Sequence, residues 1–244
     1  MRILMINSSR QKGNTIKVLD LIQEEIAASG HQVELINLTQ YNIKRCIGCE
    51  KCIFTDACIL HDDMSLLMEK LEQADGIVLS SPVFMGQVTG LMKSFFDRTC
   101  KWFHRPVLVG KPAIVVSTTA ASGLKNTTQY MKEVCDQWGL AHLGVIKKTY
   151  KDIPYQLSNN EKDLIKGFLS FNREKYQPSM AQLIQYQVQK VLALKVMKID
   201  KDFWESRGWH QQIYYYSCQI NFSKKIAANW FYKMLYRKVN PVQD

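Results

Sequence analysis

Apolar residues along the first 150 positions fall into two alternating patterns. Five short runs rich in aliphatic residues, Arg2–Asn7, Gln32–Asn37, Gly76–Ser80, Ala113–Ser117 and His142–Lys147, predict strands of a parallel sheet. Between them, Asn14–Ser29, Asp63–Gln73, Gly90–Lys101 and Leu124–Trp138 repeat their apolar positions every three to four residues and predict helices. In the first helix Ile16, Val18, Leu19, Leu21, Ile22, Ile26 and Ala27 form the stripe, which stops at Gly30. Beyond Tyr150 the alternation ends. Helices are expected over Asp163–Tyr176 and over Ser179–Met197, the latter capped by Ser179 just after Pro178. An aromatic-dense segment follows, from Phe203 to Tyr236. The pattern predicts an α/β domain over residues 1–150, doubly wound on a five-stranded parallel sheet, and a helical, aromatic-rich extension over 151–244.

Composition narrows the class. The 244 residues are 46% hydrophobic, which suits a folded core, and no apolar run is long enough to span a bilayer. Met1-Arg2 leads straight into a strand, so a cytoplasmic protein is expected. Four of the seven cysteines fall between positions 46 and 58, which points to a reducing compartment and to metal or redox chemistry. The net charge is +10, and residues 175–244 carry eleven Lys/Arg against four Asp/Glu, a net of +7. A basic tail attracts anions in general, nucleic acid and anionic membranes included. With Lys190, Lys195, Lys198, Lys201, Lys224, Lys225, Lys233, Arg237 and Lys238 among its aromatics, it reads first as a packing element against its own domain or a subunit partner. Cover of the active site comes second, and membrane or nucleic-acid contact last.

Three loops at strand ends carry candidate chemistry. Ser8-Ser9-Arg10-Gln11-Lys12-Gly13-Asn14-Thr15 reads as a phosphate grip: Arg10 supplies a forked cation, Gly13 an unusual backbone angle, and Asn14 and Thr15 helix caps with spare hydrogen bonds. It lacks both the Walker lysine motif and Gly-x-Gly-x-x-Gly, so a single terminal phosphate fits better than a triphosphate or a dinucleotide. Ser80–Gly90 suits a flat aromatic ligand, with Val83, Phe84 and Met85 as contact area and backbone N–H groups near Met85 and Gly86 for ring heteroatoms. Ser117–Gly123 is built of small residues that permit close approach to a ring.

Together, Ser8-x-Arg10-x-x-Gly13-Asn14-Thr15 and Ser81-Pro82-Val83-Phe84-Met85-Gly86-x-Val88-Thr89-Gly90-x-Met92-Lys93 resemble the NADPH-dependent FMN reductases, a flavodoxin-like family. The resemblance covers residues 1–150 and implies that Ser8, Arg10, Asn14 and Thr15 bind the FMN phosphate. It implies that Pro82, Val83, Phe84, Met85 and Gly86, with Ser117, Thr118, Thr119, Ala120, Ser122 and Gly123, flank the isoalloxazine ring. A nicotinamide, NADH or NADPH, would then hand a hydride to FMN, and a small-molecule or protein acceptor would take the electrons. Homo-oligomers are common in such folds, and no dedicated acid or base is required.

Cys46, Cys49, Cys52 and Cys58 are spaced C-x2-C-x2-C-x5-C. The tight first three resemble iron–sulfur ligation more than paired zinc arms, and the spacing resembles the iron–sulfur flavoprotein branch, which holds a [4Fe–4S] cluster. A cluster, metal-free thiols and zinc remain three readings of these residues. His61-Asp62-Asp63 reads as the charge pattern before a helix rather than a ligand set. Cys100, Cys135 and Cys218 are expected to be buried apolar residues, His104 a solvated or capping histidine, and Tyr150 either a border of the flavin pocket or a core-edge aromatic.

Overall fold

A computed structural model describes residues 1–241. Strands β1 (Arg2–Asn7), β2 (Gln32–Asn37), β3 (Gly76–Pro82), β4 (Pro112–Thr119) and β5 (Ala141–Thr149) pair in parallel in the order β2-β1-β3-β4-β5, the flavodoxin-like order. The helices are α1 (Asn14–Ala28), α2 (Lys51–Thr55), α3 (Met64–Gln73), α4 (Gly90–Asp97), α5 (Lys101–His104), α6 (Leu124–Gln137), α7 (Asn159–Leu169), α8 (Met180–Lys195), α9 (Lys198–Ser206) and α10 (Phe222–Lys238).

Side chains alternate across the sheet, so each strand feeds two cores. Ile3, Met5, Val78, Ile114 and Val116 pack against Val18, Leu19, Ile22 and Ile26 of α1 and against Ile165 and Phe168 of α7. Leu4, Ile6, Ile77, Leu79 and Val115 face the opposite layer, where α3, α4, α5 and α6 supply Leu67, Leu71, Phe95, Trp102 and Met131. All of these residues are buried, which explains why the strands read as nearly continuous apolar runs.

The helix expected over Gly90–Lys101 is interrupted after Asp97. There the Thr99 hydroxyl donates to the Phe96 carbonyl (2.8 Å), offering the backbone a competing partner, and α5 begins afresh. The helix expected over Asp163–Tyr176 begins earlier, at Asn159, where Ser158 and Glu161 form a capping box, and stops at Leu169 before a short 3-10 turn at Arg173–Lys175. Ser179 caps α8 as expected, with Gln182 closing the box.

A third core holds the extension together. Tyr186 of α8 lies within 4.7–5.7 Å, centroid to centroid, of Trp204, Tyr214 and Tyr215, and its hydroxyl donates to the Trp209 carbonyl (2.6 Å). Three of the tail's cations serve as internal staples: Lys190 donates to Gln212, Lys195 to Val239 and Lys224 to Pro178, each through a backbone carbonyl. Helix α10 nonetheless leaves Phe222, Ile226 and Trp230 exposed along one face. No helix among the described residues is long and apolar enough to cross a membrane.

Candidate functional site

The loops after β1, β3 and β4 meet at the carboxyl end of the sheet, where the strand order reverses at β1/β3. One cavity of about 700 Å³ is lined there by Ser8, Ser9, Arg10, Gly13, Asn14 and Thr15 from the first loop. Pro82, Val83 and Phe84 line it from the second, and Thr118, Thr119 and Ala120 from the third. Its size is that of a small-molecule site.

Several hydroxyls read as ligand donors hold the loops to one another instead. Ser8 Oγ donates to Ser81 Oγ (3.3 Å), the Thr15 and Thr118 hydroxyls pair at 2.7 Å, and Ser81 Oγ accepts the Thr89 N–H (3.1 Å). Thr89 in turn caps α4 by accepting the Met92 N–H (3.1 Å). At α1 the N-cap is Gly13, with no side-chain cap, so Asn14 and Thr15 are helical residues and not caps. Gly13 also adopts an ordinary extended conformation (φ −81°). Its small size is what the turn needs, because an added Cβ would lie 3.1 Å from the Arg10 carbonyl oxygen. The first N–H groups of α1 are therefore open, and the exposed Arg10 guanidinium has no partner among the described residues.

The second loop is a tight turn in which Phe84 and Gln87 exchange backbone hydrogen bonds (2.8 and 3.0 Å). Its central residues both take positive φ, 50° at Met85 and 77° at Gly86, the type I′ arrangement, and Met85 is fully exposed. The strain of a left-handed methionine is of the order of 1–2 kcal/mol. Gly123 (φ 91°) presses the third loop onto this turn, because a Cβ there would lie 2.6 Å from Val83 Cγ1 and 3.0 Å from Gly86 Cα. Met85, Gly86, Ser117, Ser122 and Gly123 do not line the cavity. Ser117 is buried and donates to the Ser81 carbonyl (2.8 Å), and the Ser122 carbonyl accepts from Thr119 Oγ1 (2.8 Å). Tyr150 is exposed and also outside the cavity.

Three contributors escaped the sequence reading. Asn7 shapes the first loop by bonding both the N–H and the carbonyl of Ser9 (3.1 Å each), a turn-forming role open to any strand-end asparagine. Thr39, oriented by Asn37 Oδ1, and Leu91 also line the cavity, beside Thr89 and Gly90.

A second cavity, about 560 Å³, gathers Cys46, Cys49, Cys52 and Cys58 with Cys100, against Phe96, Phe103, Tyr130 and Trp138. The four share a cavity wall, but among the described residues no three His, Cys, Asp or Glu side chains converge on one ion position. Two buried arginines fasten this loop. Arg98 pairs with Asp62 and donates to the Lys44 carbonyl (2.9 Å); Arg105 pairs with Asp200 of α9 and donates to the carbonyls of Cys52 (2.9 Å) and Ile53 (3.0 Å). Burial pushes the Asp62 carboxyl up, but Arg98 and the Lys44 and Met64 N–H groups outweigh it and hold the group below the usual carboxylate range. Asp62 thus belongs to a buried ion pair, while Asp63 stands at the N-cap position of α3. Two further expectations are corrected. His104 is bound through Nδ1 to Asp200 (3.0 Å), and Cys100 is not an isolated core residue but lies 3.4 Å from Cys52, sulfur to sulfur. Burial, with Cys52 beside it, pushes the Cys100 thiol up to about 12. Cys135 is buried as expected.

Residues 1–150 match the NADPH-dependent FMN reductase family. The chain belongs to that family. An iron-sulfur flavoprotein of Archaeoglobus fulgidus is 30% identical over 84% of this chain and 97% of its own length, so the likeness runs past residue 150. One of Clostridioides difficile is likewise 30% identical, over 85% of this chain and 99% of that one. The solved structure of an NADH:FMN oxidoreductase in its apo form superposes with a TM-score of 0.54 over 71% of this chain and 91% of that one; at 19% identity it attests the shared fold. Family membership carries flavin-dependent oxidoreduction as the general class of activity.

Proposed function

We propose that the chain is an FMN-dependent NAD(P)H oxidoreductase that passes electrons on to a small-molecule or protein acceptor. The observation that carries this reading is the polarity of the 700 Å³ cavity. One end has the open N-terminus of α1 beside an unpartnered Arg10, and the other an apolar wall of Pro82, Val83, Phe84 and Leu91. A monophosphate on a flat ring system matches both ends. Arg10, Asn14 and the first N–H groups of α1 would hold the phosphate. The N–H groups of Met85 and Gly86, which have no protein partner among the described residues, stand beside the site for ring heteroatoms.

FMN, when bound, supplies hydride acceptance from a nicotinamide and delivery of electrons to the acceptor. The chain's contribution is to anchor the phosphate, to fix the ring between the turn at Met85 and the loop at Ala120, and to keep one side open. The exposed Phe84 and Met85 support closure of that side by a second copy of the chain, and the seven free cysteines support a reducing, cytoplasmic setting. Titration with FMN, read by flavin fluorescence, tests this: micromolar uptake with bleaching on addition of NADH or NADPH is expected, and a chain that takes up no flavin ends the reading.

The gathering of Cys46, Cys49, Cys52 and Cys58 on one cavity wall favours a second, complementary reading: a [4Fe–4S] cluster held there for single-electron transfer to a protein partner. Iron and sulfide analysis after anaerobic purification tests it, with about four of each per chain expected.

A further inference from the structure

Cys52 and Cys100, with sulfurs 3.4 Å apart, make the only thiol–thiol contact among the described residues. Cys46, Cys49 and Cys58 are exposed and touch no other sulfur. The contact does not depend on the thiols themselves, because α2 is fastened over α5 through backbone groups. Arg105 donates to the carbonyls of Cys52 and Ile53, and Lys101 donates to the carbonyl of Asp56 (2.9 Å). The Asp56 carboxylate adds ion pairs to Arg105 (3.3 Å) and Lys101 (3.4 Å). Both cysteines are only partly buried, so a small reagent can reach them.

We infer that Cys52 and Cys100 form a reversible disulfide when the chain meets a small-molecule disulfide. The Cys52 thiolate attacks one sulfur of the reagent and expels the other half as a thiolate, giving a mixed disulfide. Cys100 then gives up its proton and attacks Cys52 Sγ, expelling the second half. The protons released by the two cysteines end on the two expelled thiols, so the chain loses two electrons and two protons and the reagent gains them. The sulfurs close from 3.4 Å to a bond of about 2.05 Å, a movement within reach of side-chain rotation. A consequence rests on the cluster reading above: the bond takes Cys52 out of the four-thiol set, so disulfide and cluster exclude each other, and the chain's thiol oxidation state decides whether a cluster can be loaded.

The test uses the full-length chain stripped of metal with a chelator, treated with oxidised glutathione, labelled with N-ethylmaleimide and mapped by mass spectrometry. A linked Cys52–Cys100 peptide is expected, released by dithiothreitol, while Cys46, Cys49 and Cys58 take the label. In Cys100→Ser, which lacks the resolving thiol, Cys52 should stop at the mixed disulfide and carry one glutathione with no link to another cysteine. The inference is overturned if Cys52 labels freely in the natural chain, or is joined to Cys46, Cys49 or Cys58; the map of the natural chain decides this without the variant. Iron uptake is measured on the same samples. The oxidised natural chain should take up less than half the iron of the reduced one, with dithiothreitol restoring uptake, and reduced Cys100→Ser should match the reduced natural chain. A reduced chain that takes up no iron defeats the cluster reading and leaves the peptide map to judge the disulfide.

Discussion

Arg10 is the residue on which the proposed ligand chemistry most depends. Among the described residues its guanidinium has no partner, and it is exposed beside helix N–H groups that likewise bind nothing else there. Arg10→Gln should weaken FMN binding on the order of tenfold or more, the worth of a lost charge-assisted hydrogen bond, while riboflavin, which lacks the phosphate, should bind both chains alike. Equal losses for the two ligands would remove Arg10 from the phosphate end. Arg10 was legible in the sequence because no internal contact claims it. Ser8 and Thr15 were legible as lining of the strand-end cavity but not as loop stitches, since their partners Ser81 and Thr118 are 73 and 103 positions away.

Away from the cavity, Asp136 and His142 face each other at 3.8 Å. Burial pushes the Asp136 carboxyl up to about 7, and burial followed by the Lys132 charge brings the His142 imidazole down to about 4. Between pH 4 and 6.5 the folded chain holds one proton on Asp136 and the unfolded chain one on the histidine, so the pair adds no slope to stability there. Asp136→Asn leaves only the histidine, whose folded pKa lies below its unfolded one. Its stabilisation is then present above pH 6.5 and lost as the pH falls toward 4, amounting to about 2 kcal/mol between pH 7 and 5. Urea midpoints of both chains at the two pH values check this, and parallel shifts would refute it.

At the scale of elements, the strands and the strand-end loops followed from local pattern, while the breaks between helices did not. At the gap between α4 and α5 the Thr99 hydroxyl bonds the Phe96 carbonyl, a local contact that an apolar periodicity running across it conceals. The early start of α7 was written in Ser158-x-x-Glu161, a cap signal that a reading led by the apolar stripe alone passes over. The cysteine loop was legible by spacing, but its fastening by Arg98 and Arg105 was not, because each arginine reaches tens of residues back along the chain. Gly123 offers the clearest test of an element. Gly123→Ala introduces a side chain at φ 91° against Val83, so a loss of about 1–3 kcal/mol in stability is expected, with weaker flavin binding as the second loop shifts. An unchanged melting temperature would show that the two loops are not in register through this residue.

For the molecule as a whole, Asp200 joins extension, core and cysteine loop. It is fully buried, pairs with both Arg105 and His104, and lies on the element whose Trp204 donates to the His104 carbonyl (2.8 Å). Asp200→Ala removes the buried carboxylate partner of Arg105 and leaves the guanidinium to the exposed Asp56 and two carbonyls, so a loss on the order of 2 kcal/mol, read as a melting temperature lower by roughly 4–8 °C, is expected. Cys52 should also react faster with N-ethylmaleimide in that variant, since its carbonyl anchor has lost its own support. A destabilised chain with unchanged Cys52 reactivity would confine Asp200 to the extension.

Of the five tryptophans, Trp102, Trp138, Trp204 and Trp209 are at most 8% exposed, whereas Trp230 on α10 is 67% exposed. Collisional quenching of indole emission by acrylamide therefore senses one helix face. If self-association covers that face, the quenchable fraction will fall as the protein concentration rises; if α10 stays outside every contact, it will be flat across the same dilution series.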